Sequence, residues 1–225
     1  MTPSGSPAPS VSVVTVVKNG ERFLSQAIAS ILRQTLAPVE IIVVDGESTD
    51  NTAGIARSYS QVRYLRQQGQ GLAGARNAGI DAARGELIAF LDHDDLWHEK
   101  KLEVQVGRMQ RDPALGYTTT LMEFLVEAGA GRMAAEAPRH GCTPSALVAR
   151  RELFAILGGF DPEYAIGCDA DWFTRARDAG IPTAVIPQVL LYKRLHDGNL
   201  STDAARNRRE MFLIARRSIA RRRRE

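Results

Sequence analysis

The chain has 225 residues, 44% of them hydrophobic and 24% charged, enough apolar material for one globular domain with a full core. Two cysteines, Cys142 and Cys168, with no metal-ligand spacing exclude a disulfide framework and point to a reducing, cytoplasmic setting, and no apolar run approaches the roughly 20 residues of a membrane span. The net charge of +3 is concentrated in the run from Ala215 to Arg224, ARRSIARRRR, so the body is near neutral and no nucleic-acid partner is expected.

Residues 1–9, rich in Pro, Ser and Gly, read as a disordered tail without the basic start and apolar run of a secretory signal. The stretches VSVVTVV (11–17) and VEIIVVD (39–45) lack alternation, which predicts strands covered on both faces. Between them Leu24, Ala27, Ile28, Ile31 and Leu32 recur at helical spacing, so 21–34 is an amphipathic helix and the three segments form a βαβ unit.

The rhythm continues with a helix opened by Asp50, a strand near 62–66, a helix through 72–83 and the strand LIAFL at 87–91. Alternating strands and helices predict an α/β domain with a mainly parallel central sheet and helices on both faces. After a polar helix at 98–110 the pattern changes. YTTTLMEFLV and a Gly/Ala-rich turn at 128–134 predict a small additional β element, a strand pair beside the main sheet. Helices near 150–157 and 169–179, a strand around 189–194 and a last helix complete the chain. Met211, Ile214, Ala215 and Ile219 mark the apolar face of that last helix.

Ligands of open α/β sheets gather at the carboxyl ends of strands, and two strands here end in acids. Asp45 closes the second strand before Gly46. It either meets a ligand or makes the turn, while Asp50 suits a helix cap. FLDHDDLW places Asp92, Asp94 and Asp95 directly after LIAFL. Three clustered carboxylates repel, and a hard divalent cation, Mg²⁺ or Mn²⁺, shared with ligand phosphates is the natural remedy; a solvated acidic turn is the plain alternative. Gly69-x-Gly71-x-x-Gly74 has the spacing of a dinucleotide loop, with acids about 20 residues on. It does not follow the first strand, however, and the spacing alone is weak.

Taken in order, VSVVTVVKNGERFLSQAIASILRQT, EIIVVDGESTDNT, GLAGARNAGIDAARGELIAFLDHDDLW, GGFDPEY, DADWFTRARDAG and YKRLHDGN resemble an inverting family 2 glycosyltransferase with the GT-A (Rossmann-like) fold. The resemblance runs from Ser10 to about Ser201. It implies a donor half at about 10–97, an acceptor half at about 98–201, and a basic helix at 202–225 outside the domain.

The resemblance also implies roles. Thr15, Val17, Asn19 and Asp45 would form the base pocket, with Asp45 reading a uracil-type imide, and Arg76 and Asn77 would lie along the nucleotide. Asp92 and Asp94 match the D-x-D element, the first near the ribose and the second on the metal, with Asp95 assisting. His196 would complete the metal shell and Arg194 would meet phosphate, in a loop reaching Asn199. Gly159, Phe160, Asp171 and Trp172 fall on the acceptor side. Asp169 would be the catalytic base, preceded by Cys168 where the family has Glu.

The implied reaction is metal-dependent transfer from a nucleoside diphosphate sugar, with UDP expected, to an acceptor hydroxyl. The acceptor class, whether lipid carrier, polysaccharide, peptide or metabolite, stays open. The basic C-terminal helix offers a peripheral contact with anionic lipid at the inner face of a membrane. Two other readings remain: an NAD-dependent oxidoreductase using the Gly69–Gly74 loop, and a non-catalytic nucleotide-sugar binder.

Overall fold

The computed structural model describes residues 8–69, 71–128, 131–134, 137–196 and 204–223. Five elements open the chain in alternation: β1 (Val11–Val17), α1 (Leu24–Leu32), β2 (Glu40–Asp45), α2 (Thr52–Arg57) and β3 (Val62–Arg66). They are followed by α3 (Gly71–Ala82), β4 (Leu87–Phe90), β5 (Leu96–Trp97) and α4 (Lys101–Arg111). The remainder comprises β6 (Tyr117–Ala128), β7 (Gly131–Ala134), β8 (Arg139–His140), a 3₁₀ turn (Pro144–Ala146), β9 (Val148–Arg150), α5 (Glu152–Ile156), α6 (Cys168–Asp178), β10 (Thr183–Leu195) and α7 (Ala204–Arg222).

Among the described residues the sheet has ten strands in the order β3-β2-β1-β4-β9-β6-β10-β5, with β7 and β8 paired to β6. The first four strands run parallel, β9 joins β4 and β6 antiparallel, and β6 and β10 pair parallel. The expected additional β element is the β6–β7 pair, which turns back at Ala128 and Gly131. β10 is longer than the sequence suggests because its register shifts between Ile186 and Leu191, around Pro187, which has no N–H to give a ladder.

The unbroken apolar runs are split by strand alternation into two cores. Val11 and Val13 of β1, Ile41 of β2, and Leu87 and Ala89 of β4 pack with Ala27 and Ile31 of α1 and Leu102 and Val106 of α4. Val14, Val16, Ile42, Val44, Ile88 and Phe90 pack on the other face with Ala73 and Ala75 of α3 and Trp172 of α6. A strand with helices on both faces needs no polar side, which is why these segments do not alternate.

The face expected for the last helix is corrected. α7 buries Glu210, Ile214 and Ser218, one turn apart, and leaves Met211, Ala215 and Ile219 at the surface with Phe212. The cause is Glu210, whose carboxylate accepts the backbone N–H groups of Ala165, Ile166 and Gly167 at 3.1, 3.0 and 2.7 Å and so turns a polar residue inward.

Candidate functional site

Parallel pairing brings the ends of β1, β2 and β4 to one edge: Val17 faces Asp45, and Val14 faces Phe90 two residues before Asp92. The loops beyond β1 and β2 are laced together there. Asn19, at a left-handed φ of 52°, accepts the Thr49 N–H at 2.9 Å and donates its own N–H to the Ser48 hydroxyl at 2.8 Å. Asp50 accepts from the N–H groups of Thr52 and Glu21, both at 3.0 Å, which fastens the start of α2 to the β1 loop. Asp45 is buried and takes the Ser48 N–H at 2.9 Å and the Tyr64 hydroxyl at 2.7 Å, so a turn role and a place at the ligand edge coexist.

Two expected pocket residues do not present side chains here. Thr15 and Val17 are buried, because alternation along β1 turns them into the packed face.

The turn after β4 is the centre of charge. Asp92 accepts from Arg76 at 3.1 Å and gives its own N–H to the Ser145 hydroxyl at 3.0 Å, while its carbonyl closes the turn onto the Asp95 N–H. Asp94 lies 3.0 Å from His196 Nε2. Asp95 is fully buried, with the Arg194 N–H at 3.2 Å and the Lys193 ammonium at 3.4 Å.

These carboxylates are therefore answered by cations of the chain itself. Burial works to raise Asp92, but Arg76 and then Lys193 outweigh it and hold the carboxyl below its usual range. Burial, with Asp94 and Asp92 adding repulsion and Lys193 opposing, pushes Asp95 up to about 7. Lys193 is raised in turn, chiefly by Asp95, and stays charged.

Arg194, expected at phosphate, is buried instead. Its guanidinium donates to the Asp94 carbonyl and to Gln26 Oε1, each at 2.9 Å, and lies 4.7 Å over the Phe23 ring, which itself sits 5.0 Å from the His196 ring. The half-buried cation beside it, Lys193, lies 3.4 Å from the Asp95 carboxylate. Asn199 lies outside the described residues.

α6 brings Asp169 within the electrostatic reach of Arg76, Asp92 and Lys193. Burial raises its pKa, Arg76 and Lys193 oppose, and Asp92 adds repulsion, so the carboxyl titrates above the ordinary range. Cys168, at the position where the family pattern has Glu, is buried with its sulfur 3.4 Å from an Arg76 nitrogen.

Five other expected site residues are engaged within the framework of the fold. Asn77 is engaged by the Phe160 backbone, accepting its N–H and donating to its carbonyl, both at 2.8 Å. A Cβ on Gly159 would stand 2.3 Å from Asn77 Oδ1, so this close approach requires glycine. Asp171 points away from Asp169 and holds Arg175 at 2.7 Å, and Arg175 donates to the carbonyls of Leu157, Gly158 and Gly159. Phe160 and Trp172 belong to an aromatic core with Phe90, Phe154 and Tyr117. Phe160, Asp171 and Trp172, expected on the acceptor side, have buried side chains that brace the loop beside the site.

Ser145, Lys193 and Glu210 were not singled out from the sequence. Lys193 adjoins the recognisable Arg194, but Ser145 and Glu210 sit in stretches with no motif. The glycine motif runs into α3, whose first residue is Gly71, with Gly69 and Gly71 at left-handed φ of 66° and 64°. It borders a cavity of about 590 Å³ shared with Asn77, Pro162 and Tyr164. β3, which leads into it, is the edge strand, whereas the strand order reverses between β1 and β4, where a dinucleotide loop belongs.

Residues 12–157 match the model of the family described as "Glycosyl transferase family 2". The chain belongs to that family. Among curated proteins it is 39% identical over 105 residues to the UDP-Glc:alpha-D-GlcNAc-diphosphoundecaprenol beta-1,3-glucosyltransferase WfgD of Escherichia coli, covering 45% of this chain and 42% of that one. It is 29% identical over 227 residues to a glycosyltransferase of Rickettsia typhi, covering 91% of this chain and 70% of that protein. With a glycosyltransferase of Nostoc sp. the match covers 34% of the relative's length, so the chain spans well under half of some family members.

Among solved structures, S. aureus TarS 1–349 in complex with UDP-GlcNAc superposes with a TM-score of 0.72 at 20% identity, covering 87% of this chain and 61% of that one. The same TarS fragment in complex with UDP gives a TM-score of 0.69 at 21% identity, covering 83% and 60%. The fold is that of the GT-A glycosyltransferases, a mixed α/β domain with a curled sheet.

Proposed function

We propose that this chain is an inverting glycosyltransferase that moves a sugar from a UDP-linked donor to an acceptor hydroxyl. The observation that carries the reading is the meeting of Asp92 and Asp94, at the carboxyl end of the parallel strands, with Asp169 on α6 across Arg76. TarS, whose fold this chain shares, is seen in complex with UDP and with UDP-GlcNAc, and that supports the choice of nucleotide.

The chemistry asks for a stabilised leaving group and a deprotonated nucleophile. The acceptor oxygen bonds to the anomeric carbon as the bond to the diphosphate oxygen breaks, and the acceptor proton passes to Asp169. A carboxyl whose pKa is raised by burial is a stronger base than an exposed one, which suits that step. Lys193, kept charged by Asp95, and Arg76 supply fixed positive charge where the diphosphate departs.

Asp94 and His196 are the residues that would hold Mg²⁺ or Mn²⁺. They lie 3.0 Å apart, and among the described residues no cluster of three or more His, Cys, Asp or Glu side chains can hold a metal. Two protein ligands with remaining positions for phosphate oxygens fit a hard cation shared with the donor. When bound, such an ion would neutralise charge on the diphosphate.

The name of WfgD specifies a diphosphoundecaprenol-linked acceptor, which supports an acceptor carried on a lipid diphosphate. The test is turnover of UDP-sugars in the presence of Mn²⁺ by the wild type and by Asp169→Asn. Donor consumption by the first and not by the second is the expected result; equal rates would remove Asp169 as the base.

A further inference from the structure

α7 carries two faces of different character. Its outer face shows Met211, Phe212, Ala215 and Ile219, which share one stripe by their spacing of three, four and seven. Phe212 is 70% exposed and Ile219 49%, unusual values for large apolar side chains in the middle of a long helix. Arg208, Arg209, Arg216 and Arg223 are exposed around that stripe, and none forms an ion pair among the described residues. The only acid of the helix, Glu210, faces inward.

An apolar stripe bordered on its open side by arginines and no acids matches an anionic lipid surface, with the ring and aliphatic groups entering the acyl boundary and the guanidiniums meeting headgroup phosphates. A bare charge run would need no apolar stripe, and a protein partner would need matching acids. Among the described residues no helix is long and apolar enough to cross a membrane, so the contact is with the surface. We propose that the outer face of α7 docks this protein on anionic membranes.

The experiment is sedimentation with vesicles of phosphatidylcholine alone and of phosphatidylcholine with 30 mol% phosphatidylglycerol (about one lipid in three, an anionic load that gives the arginines a field to read). Wild type is compared with the double variant Phe212→Ser, Ile219→Ser, and the circular dichroism spectrum with its melting transition serves as the check that both are folded. The expected result is binding to anionic vesicles only, weakened by salt, and reduced about tenfold or more in the double variant. Absence of binding to anionic vesicles, or binding unchanged in the double variant, would overturn the proposal. So would a wild-type dimer that the double variant abolishes while vesicle binding stays nil, since the stripe would then belong to a second copy.

The inner face of the same helix does separate work, resting on the catalytic reading above. Glu210 receives three consecutive backbone N–H groups at the start of α6, and Ser218 and Arg221 reach Asp178 at its other end, at 2.9 and 3.0 Å. α7 therefore grips both ends of the helix that carries Asp169. We infer that Glu210 is a positioning residue for that base.

In Glu210→Gln one oxygen is lost and the three N–H groups can no longer all be served. The expected result is a kcat lower by about tenfold with the donor KM within about twofold, because a misplacement of the base acts on the chemical step. Ile214→Ala, which loosens the same packing without touching the N–H groups, is the control and should lower the melting temperature while keeping kcat. Equal kcat losses in the two variants, or an unchanged kcat in Glu210→Gln, would reduce Glu210 to a structural contact. Loss of UDP binding in either variant would point to failure of the fold instead and contradict a role confined to the base helix.

Discussion

Arg76 donates to the sulfur of Cys168 at 3.4 Å while its other terminal nitrogen holds Asp92 at 3.1 Å. Where the family pattern has a glutamate, this chain presents a thiol whose pKa is raised by burial, so it stays neutral. The Arg76 charge is then shared between Asp92 and Asp169 with no third carboxylate at position 168 to compete for it.

Cys168→Ala should therefore be mild. The loss of one buried sulfur costs about 1 kcal/mol by the scale of small core truncations, and turnover should stay within about threefold of wild type. Denaturant unfolding and steady-state rates check the two numbers separately.

Arg76→Met should be severe. Removing Arg76 leaves the partly buried Asp92 with only the weaker compensation of Lys193, which costs about 3 kcal/mol, the low end for a broken buried pair. The unfolding midpoint should fall accordingly, and donor affinity should fall with it where the variant remains folded.

The pH dependence follows from Asp169. A base must be ionised to act, and burial places its pKa above the ordinary carboxylate range. The rate should rise with pH through that raised value, with an acidic limb displaced upward from that of an exposed aspartate. Asp169→Asn should remove the limb and cut the rate by about 10²–10⁴. A pH profile of kcat in both proteins reads this directly.

Gly159→Ala tests the brace of the loop. The new Cβ would stand 2.3 Å from Asn77 Oδ1, which is bound to the Phe160 backbone and has no room to retreat. A cost of about 1–3 kcal/mol is expected, visible as a lowered melting temperature.

The N-terminal half is legible in the sequence because β1, β2 and β4 are covered on both faces and its helices are amphipathic, so the apolar pattern reports the layers directly. Asp45, Asp92 and Asp94 are legible as acids at strand ends. Thr15, Val17, Phe160 and Trp172 are not, since a motif names a position and the alternation of the strand or the turn of the helix decides which way its side chain points. Asn77 and Asp171 illustrate the same point, with polar side chains that serve the backbone of the loop at 157–160. The orientation of α7 was out of reach because Glu210 is turned inward by N–H groups 43 to 45 residues earlier in the chain.

Calorimetric titration with UDP, in Mn²⁺ and then in EDTA, on wild type and Asp94→Asn, tests the central claim most directly. UDP binding that requires the metal and is weakened by Asp94→Asn, with no binding of NAD, is the result expected of a donor site built on Asp94 and His196. Binding of NAD indifferent to chelator, or failure to bind UDP under either condition, would contradict it.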